Sequence, residues 1–226
     1  MTGVSGARPP SRRAIRIAVR VGIAIACLLP VMALFGEALV RLCLPAYRAV
    51  FDQVVPELRL IELTVDLEGA DRVVRAEVTL DRVVVLGNRV FSPDIRGRAY
   101  ASTLAMNAIQ GPMVAILATV AWPARRRTQI VWRLLLVVPI AGSAMLVDAP
   151  CVLAAELWKI LLDAAATDRW SALVAWNNFL QGGGRHALGI AIGAAGASMV
   201  SGGPLAADTR PDAGGAAGKD RIRRIR

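Results

Sequence analysis

Cys151, Arg185 and His186 are the residues of this chain from which a reaction could be assembled: a thiol, a cation and the sole histidine. Cys151 closes one long apolar run and Arg185-His186 opens the next, so the three fall at about the same depth on neighbouring segments. A thiolate with a base and an oxyanion donor is the set that a membrane cysteine protease or transpeptidase needs. The local context does not activate the thiol, because Ala149-Pro150-Cys151-Val152 is plainly apolar. An inert buried thiol and an interfacial histidine are expected. Asp148 stands in the same run without a local partner, and Pro150 two residues on frees a backbone carbonyl. Charges inside apolar runs are costly and mark function or pairing, so Asp148 is expected to meet Arg185 or Arg41 across a helix bundle. Glu37 and Arg41, four apart in the favourable order, are expected to neutralise each other while the arginine snorkels. Were Asp148 and Glu37 to line a path instead, the chain would be a transport or export subunit. Gly182-Gly183-Gly184 before Arg185 offers either an anion cradle, as for a lipid phosphate, or a hinge with close packing. The spacing is that of no P-loop or dinucleotide motif, which favours the hinge. With no metal-ligand cluster, Walker motif or serine elbow, no metal, no cofactor and no enzyme are expected.

These residues need a membrane to hold them. The 226 residues are 55% hydrophobic but only 5% aromatic, a composition that suits lipid-facing helices. Trp122, Trp132, Trp158, Trp170 and Trp176 stand at or just beyond the ends of apolar runs, as tryptophan does at headgroup level. The +10 net charge is concentrated in the N-terminal arm, Arg125 to Arg127 and the C-terminal tail. Those are the sites that the positive-inside rule fills, so nucleic acid is not the expected partner. Cys27, Cys43 and Cys151 lie in or beside apolar runs and suggest no disulfide framework.

A mainly α membrane protein with four transmembrane helices is therefore expected. A bilayer core of about 30 Å takes about 20 helical residues. The expected order is a cytoplasmic basic arm (1–20), spans at 21–42, 102–122, 132–153 and 186–202, a cytoplasmic basic loop (123–131) and a disordered basic tail (203–226). Both termini would then be cytoplasmic. The two outer segments, 45–101 and 154–185, should lack excess positive charge: the first has eight arginines against nine acidic residues. The N-terminal run reads as an uncleaved anchor. Arg16 and Arg20 interrupt any signal peptide, and Ala24 replaces the leucine expected before a lipoprotein cysteine at Cys27. In the fourth span, Gly189, Gly193 and Gly196 make a small-residue face for close helix packing, within the bundle or against a foreign helix.

The segment 45–101 changes period. Leu58 to Leu67 and Val74 to Leu80 alternate apolar with polar, with a slip at Ile61 that predicts a bulge. Turns at Glu68-Gly69-Ala70-Asp71 and Gly87-Asn88 then predict an extracytoplasmic antiparallel β-meander of three or four strands. So small a sheet needs a partner surface. From Ala154 to Gln181 the apolar residues recur at three- and four-residue steps among Lys159, Asp163, Asp168 and Arg169, predicting an interfacial amphipathic helix or helix pair.

The segment Trp176-Asn177-Asn178-Phe179-Leu180-Gln181-Gly182-Gly183-Gly184-Arg185-His186-Ala187-Leu188-Gly189 resembles the exosortase H-associated membrane proteins, small bacterial proteins encoded beside an exosortase. The shared layout of an early span, a β-rich outer insertion, an aromatic outer loop and a short Ala-Leu-Gly-rich last span covers most of residues 14 to 200. The resemblance implies a bacterial inner-membrane accessory that binds membrane lipid and a membrane-embedded exosortase or its sorted substrate. It implies no catalytic role of its own.

Overall fold

The computed structural model describes residues 12–94, 96–124, 127–166 and 169–201. Most of the basic arm, Arg125 and Arg126 of the basic loop, Asp168, and the whole tail with Arg221, Arg223, Arg224 and Arg226 lie outside the described residues.

Two helices set the frame. The first, α1 (Arg12–Val54), continues through Pro30 and Pro45 for 43 residues, roughly 65 Å at 1.5 Å per residue. It outruns the expected span 21–42, and residues 45–54 are helix rather than part of a β-rich insertion. The reason is a second amphipathic stretch: Tyr47 and Phe51, one turn apart, are buried, and Val55 follows them just past the helix. Helix α3 (Arg127–Ala164, 38 residues) behaves alike. The residues expected to begin an interfacial helix at Ala154 continue α3 instead, because Val152 to Ala155 and Leu157 are all buried. Only α4 (Ala172–Phe179) stands apart, and it runs through a π-type turn at Leu180–Gly184 into α5 (Arg185–Ser201). Two stretches, Ala14–Val54 and Thr128–Ala164, are long and apolar enough to cross a membrane.

Strands β1 (Leu58–Glu68) and β2 (Asp71–Leu80) pair antiparallel, with a register shift between Leu60 and Glu62 that leaves Ile61 unpaired. In β2 Val74, Ala76 and Val78 are buried against the second halves of α1 and α3, alternating with half-buried Arg75 and Glu77, and Val73 is buried as well. The expected continuous meander is corrected in two places. Strands β3 (Val84–Leu86) and β4 (Arg89–Phe91) form a separate hairpin, and β5 (Ala99–Leu104) completes the first sheet in the order β1-β2-β5. Ser102 to Leu104, expected to open a span, are that strand's end, so α2 is only Ala105–Ala121. The hairpin settles on the far end of α3: Val84 and Leu86 pack with Leu162 and Ala165, and Arg89 Nη1 donates to the Ala164 carbonyl at 2.6 Å. A cation on the last carbonyls of a helix is favoured there. Trp158 packs between these two clusters rather than at a helix end, which corrects its expected headgroup position.

Away from the sheet, α2 packs against α1, α3 and α5. The approach of α5 to α2 rests on glycine. A Cβ at Gly193 would lie 2.5 Å from the Ala115 carbonyl oxygen, one at Gly189 2.6 Å from that of Gly111, and one at Gly196 would collide with Val137 of α3. The small-residue face is thus occupied inside the molecule and is not free for a foreign helix.

Gly193→Leu is accordingly expected to lose about 1–3 kcal/mol by overpacking, read as a lower melting temperature of the purified protein. Gly182→Ala, where a Cβ meets nothing within 4 Å, should leave the melting temperature nearly unchanged.

Candidate functional site

Helices α3 and α5 meet at a buried ion pair: Arg185 Nε donates to Asp148 Oδ2 at 2.9 Å, with the two side chains 8% and 14% exposed. Of the two partners considered for Asp148, the structure brings Arg185. Arg41 lies with Glu37 at 2.6 Å, and Glu37 also takes Arg72 from the β1–β2 hairpin end. That third charge ties the sheet's near end to α1.

A polar seam continues from the ion pair. Glu156, two turns along α3, accepts from buried Asn177 at 2.7 Å and from Gln181 at 3.1 Å, and Gln181 Nε2 also donates to Asn177 Oδ1 at 3.3 Å. Asp148 and Glu156 are eight apart on one face of α3, and Asn177, Gln181 and Arg185, four apart in turn, line up against them from α4 through the π-type turn to the start of α5. The two sets run antiparallel, Asp148 facing Arg185 and Glu156 facing Asn177. Sequence reasoning missed Glu156, Asn177 and Gln181. Their signal was the four-residue spacing of amides leading to Arg185.

The glycine triplet shapes this junction. Gly183 holds φ +102°, a conformation that L side chains rarely adopt. A Cβ at Gly184 would meet the Phe179 carbonyl oxygen at 2.5 Å, whereas Gly182 faces open space. A kink with close packing is what the geometry shows, and α5 begins directly at Arg185.

The residues of the thiol constellation divide between two environments. Cys151 is buried and His186 is exposed, and no hydrogen bond joins them among the described residues. Arg185 is turned to Asp148. Among the described residues no three His, Cys, Asp or Glu side chains group in a way that could hold a metal ion.

Arg133 also escaped the sequence reading. It is 1% exposed and donates from Nη1 and Nη2 to the carbonyls of Trp122 and Pro123, at 3.3 and 3.0 Å. It thus closes the C-terminal end of α2 and fixes the α2–α3 turn. On the sheet, Glu77 faces Glu62 across the β1–β2 pair and receives Arg98 Nη1 at 2.5 Å. That hydrogen bond first, and then the carboxylate charge, raise the pKa of Arg98.

A cavity of about 440 Å³ opens beside the ion pair between α2, α3 and α5, with almost wholly apolar walls. Asp148 and Arg185 stand at one end of it with Trp176. Asp148 Oδ1 is buried without a hydrogen-bond partner, as is the Tyr47 hydroxyl.

Removing one member of the pair should cost more than removing both. Asp148→Leu or Arg185→Met alone is expected to destabilise by about 3–5 kcal/mol, and the two together to recover most of it. A double-mutant cycle on melting in detergent measures the coupling, and additive losses would contradict it. Compared with known proteins, the chain matches no family model, no curated protein and no solved structure, so the seam is read on its own geometry.

Proposed function

We propose that this chain is a four-span bacterial inner-membrane accessory protein that presents a sheet-bearing domain to a membrane-embedded sorting enzyme of the exosortase type, or to the anchor segment of its substrate. The observation that carries the membrane part of this reading is a change of surface chemistry at one level. On α1, Ile15, Val19, Leu29, Leu34 and Phe35 are exposed, and none of the helix's most apolar window is buried. Beyond Glu37 the same helix buries Val40, Tyr47 and Phe51. On α3, Val131, Trp132, Leu135 and Val138 are exposed, whereas beyond Asp148 the chain from Ala149 to Ala155 is buried. Exposed apolar helix on one side and charged sheet surface on the other are what a bilayer boundary requires. Helices α2 and α5, 17 residues each, fill the apolar side between the two long helices. About 17 residues is the short end of what spans a bilayer.

The partner-binding part draws on the far end. Val83, Val85 and Val90 around the β3–β4 hairpin are 57%, 60% and 62% exposed, and Trp170 is 77% exposed. They lie at the end of α3 remote from the apolar helices, where lipid does not account for them. Exposed apolar groups clustered away from lipid are the usual mark of a protein contact. The kind of partner and the accessory role come from the resemblance of the segment 176–189.

Two measurements test the reading. A single cysteine placed at Asp71 in a cysteine-free background should react with a membrane-impermeant thiol reagent in intact cells, and protection there would put the sheet on the wrong side. A photo-crosslinker at Val85 should capture a membrane-embedded sorting enzyme or a substrate bearing a C-terminal anchor, while Cys151→Ala should leave sorting intact. Loss of sorting in a folded Cys151→Ala protein would replace the accessory reading with a thiol enzyme.

A further inference from the structure

The cavity between α2, α3 and α5 has two kinds of wall. Its body is apolar, made by Ala108 and Gly111 of α2, Ala144 of α3, and Leu188 and Ile192 of α5. One end is charged, and that end is incompletely satisfied. Asp148 gives Oδ2 to Arg185 and keeps Oδ1 buried without a donor. Arg185 donates to Asp148 through Nε, and its two Nη groups make no hydrogen bond among the described residues. A buried carboxylate oxygen left unpaired costs free energy. The volume, about 440 Å³, lies within the roughly 300–1,000 Å³ of small-ligand sites.

We infer that this cavity is a binding site for one molecule of phosphatidylethanolamine, one acyl chain lying along Ala108, Gly111, Ala144 and Ile192 with the headgroup at Asp148 and Arg185. Charge complementarity selects the headgroup. The ammonium supplies the donor that Asp148 Oδ1 lacks, and the phosphate accepts from the Arg185 Nη groups. A purely anionic headgroup satisfies only the arginine and sets a second negative charge beside Asp148. A neutral glyceride offers no strong partner to either. Trp176, 40% exposed at the same end, supplies the amphipathic ring favoured at headgroup level. The cavity is open on one side, so a chain can enter laterally from the bilayer. The inference rests on the membrane placement alone, not on the sorting partner.

The full chain, extracted in mild detergent and mixed with equal phosphatidylethanolamine and phosphatidylglycerol of matched chains, is examined by native mass spectrometry. One phosphatidylethanolamine per chain should survive, favoured about tenfold over phosphatidylglycerol, as one charge-assisted hydrogen bond predicts. Equal retention of both lipids, preference for the anionic one, or no retained lipid would overturn the site. Ala144→Phe fills the cavity from α3 without touching the ion pair and should lose the retained lipid with its melting temperature unchanged. Should that variant unfold, Val147→Phe on the exposed lining of the same helix makes the same test. Retention of the lipid by a folded cavity-filling variant would place it elsewhere and overturn the proposal. So would a photo-crosslinker at Ala144 that captures a protein helix in native membranes in place of lipid. A membrane-integral protein without retained lipid loses this site only, whereas a chain soluble without detergent loses the membrane reading as well.

Discussion

The contact between Asp148 and Arg185 constrains the rest of the molecule, because two charges held away from water must find each other whatever else the chain does. Desolvating each ion costs several kcal/mol, and the pair returns that only at close range with aligned donors. The net stabilisation is therefore small, but the register it imposes is strict. Slipping α5 by one residue against α3 would turn Arg185 out of the interface and leave Asp148 alone. Once the register is set, Asn177 and Gln181 fall opposite Glu156, and Gly189 and Gly193 fall opposite the α2 backbone at Gly111 and Ala115. A polar pair thus specifies what apolar packing among Ala, Val, Leu and Gly specifies poorly.

The same level divides the molecule's two environments. A three-stranded sheet and a two-residue-turn hairpin are marginal alone, and neither carries a core of its own here. Both lean on the far halves of α1 and α3, through Tyr47, Phe51, Leu153 and Leu157 for the sheet and Leu162 and Ala165 for the hairpin. The two long helices serve as shared beams: their first halves carry exposed apolar residues and their second halves supply the sheet's missing partner layer. The ion triad of Glu37, Arg41 and Arg72 closes the sheet onto α1 where the two environments meet.

Much of this was legible where one period or one charge dominated. The alternation of Val74, Ala76 and Val78 gave β2, the slip at Ile61 gave the bulge, and an unpaired Asp148 pointed to an arginine across the bundle, Arg185 or Arg41, of which the structure brings Arg185. The small-residue run of α5 gave close packing, though not its partner. What was hidden is physical in origin. Nothing in a 3.6-residue period tells where a helix leaves lipid and enters protein, so α1 and α3 were cut at the length of a bilayer while Tyr47, Phe51 and Leu157 kept them helical by packing on a sheet. Strand β5 was lost because Ser102 to Leu104 run without a turn signal into the helix that follows and were read as its start, whereas pairing with β2 holds them extended. Arg133 was passed over at the start of the expected span 132–153, although its two donors close the α2–α3 turn.

The distribution of satisfied and unsatisfied groups narrows where an external molecule can act. The glycine face of α5 is filled by α2 and α3, so a foreign helix has no groove there. The outward face of the sheet is laced by Arg75 with Asp66 and Glu68, and by Arg98 with Glu77, and is content in water. The amide seam beside Glu156 is closed on itself. Among the described residues two places stand out: the apolar surface around Val85, Val90 and Trp170, and the cavity whose charged end keeps a carboxylate oxygen without a partner. The first is far from the exposed helices and suits a protein, and the second opens among them and suits an amphiphile. Some 24 Å of α3, sixteen residues at 1.5 Å each, separates Asp148 from the hairpin contact at Ala164. One rigid helix therefore joins the two places, so a molecule seated at Asp148 and a partner held at the hairpin bear on the same element.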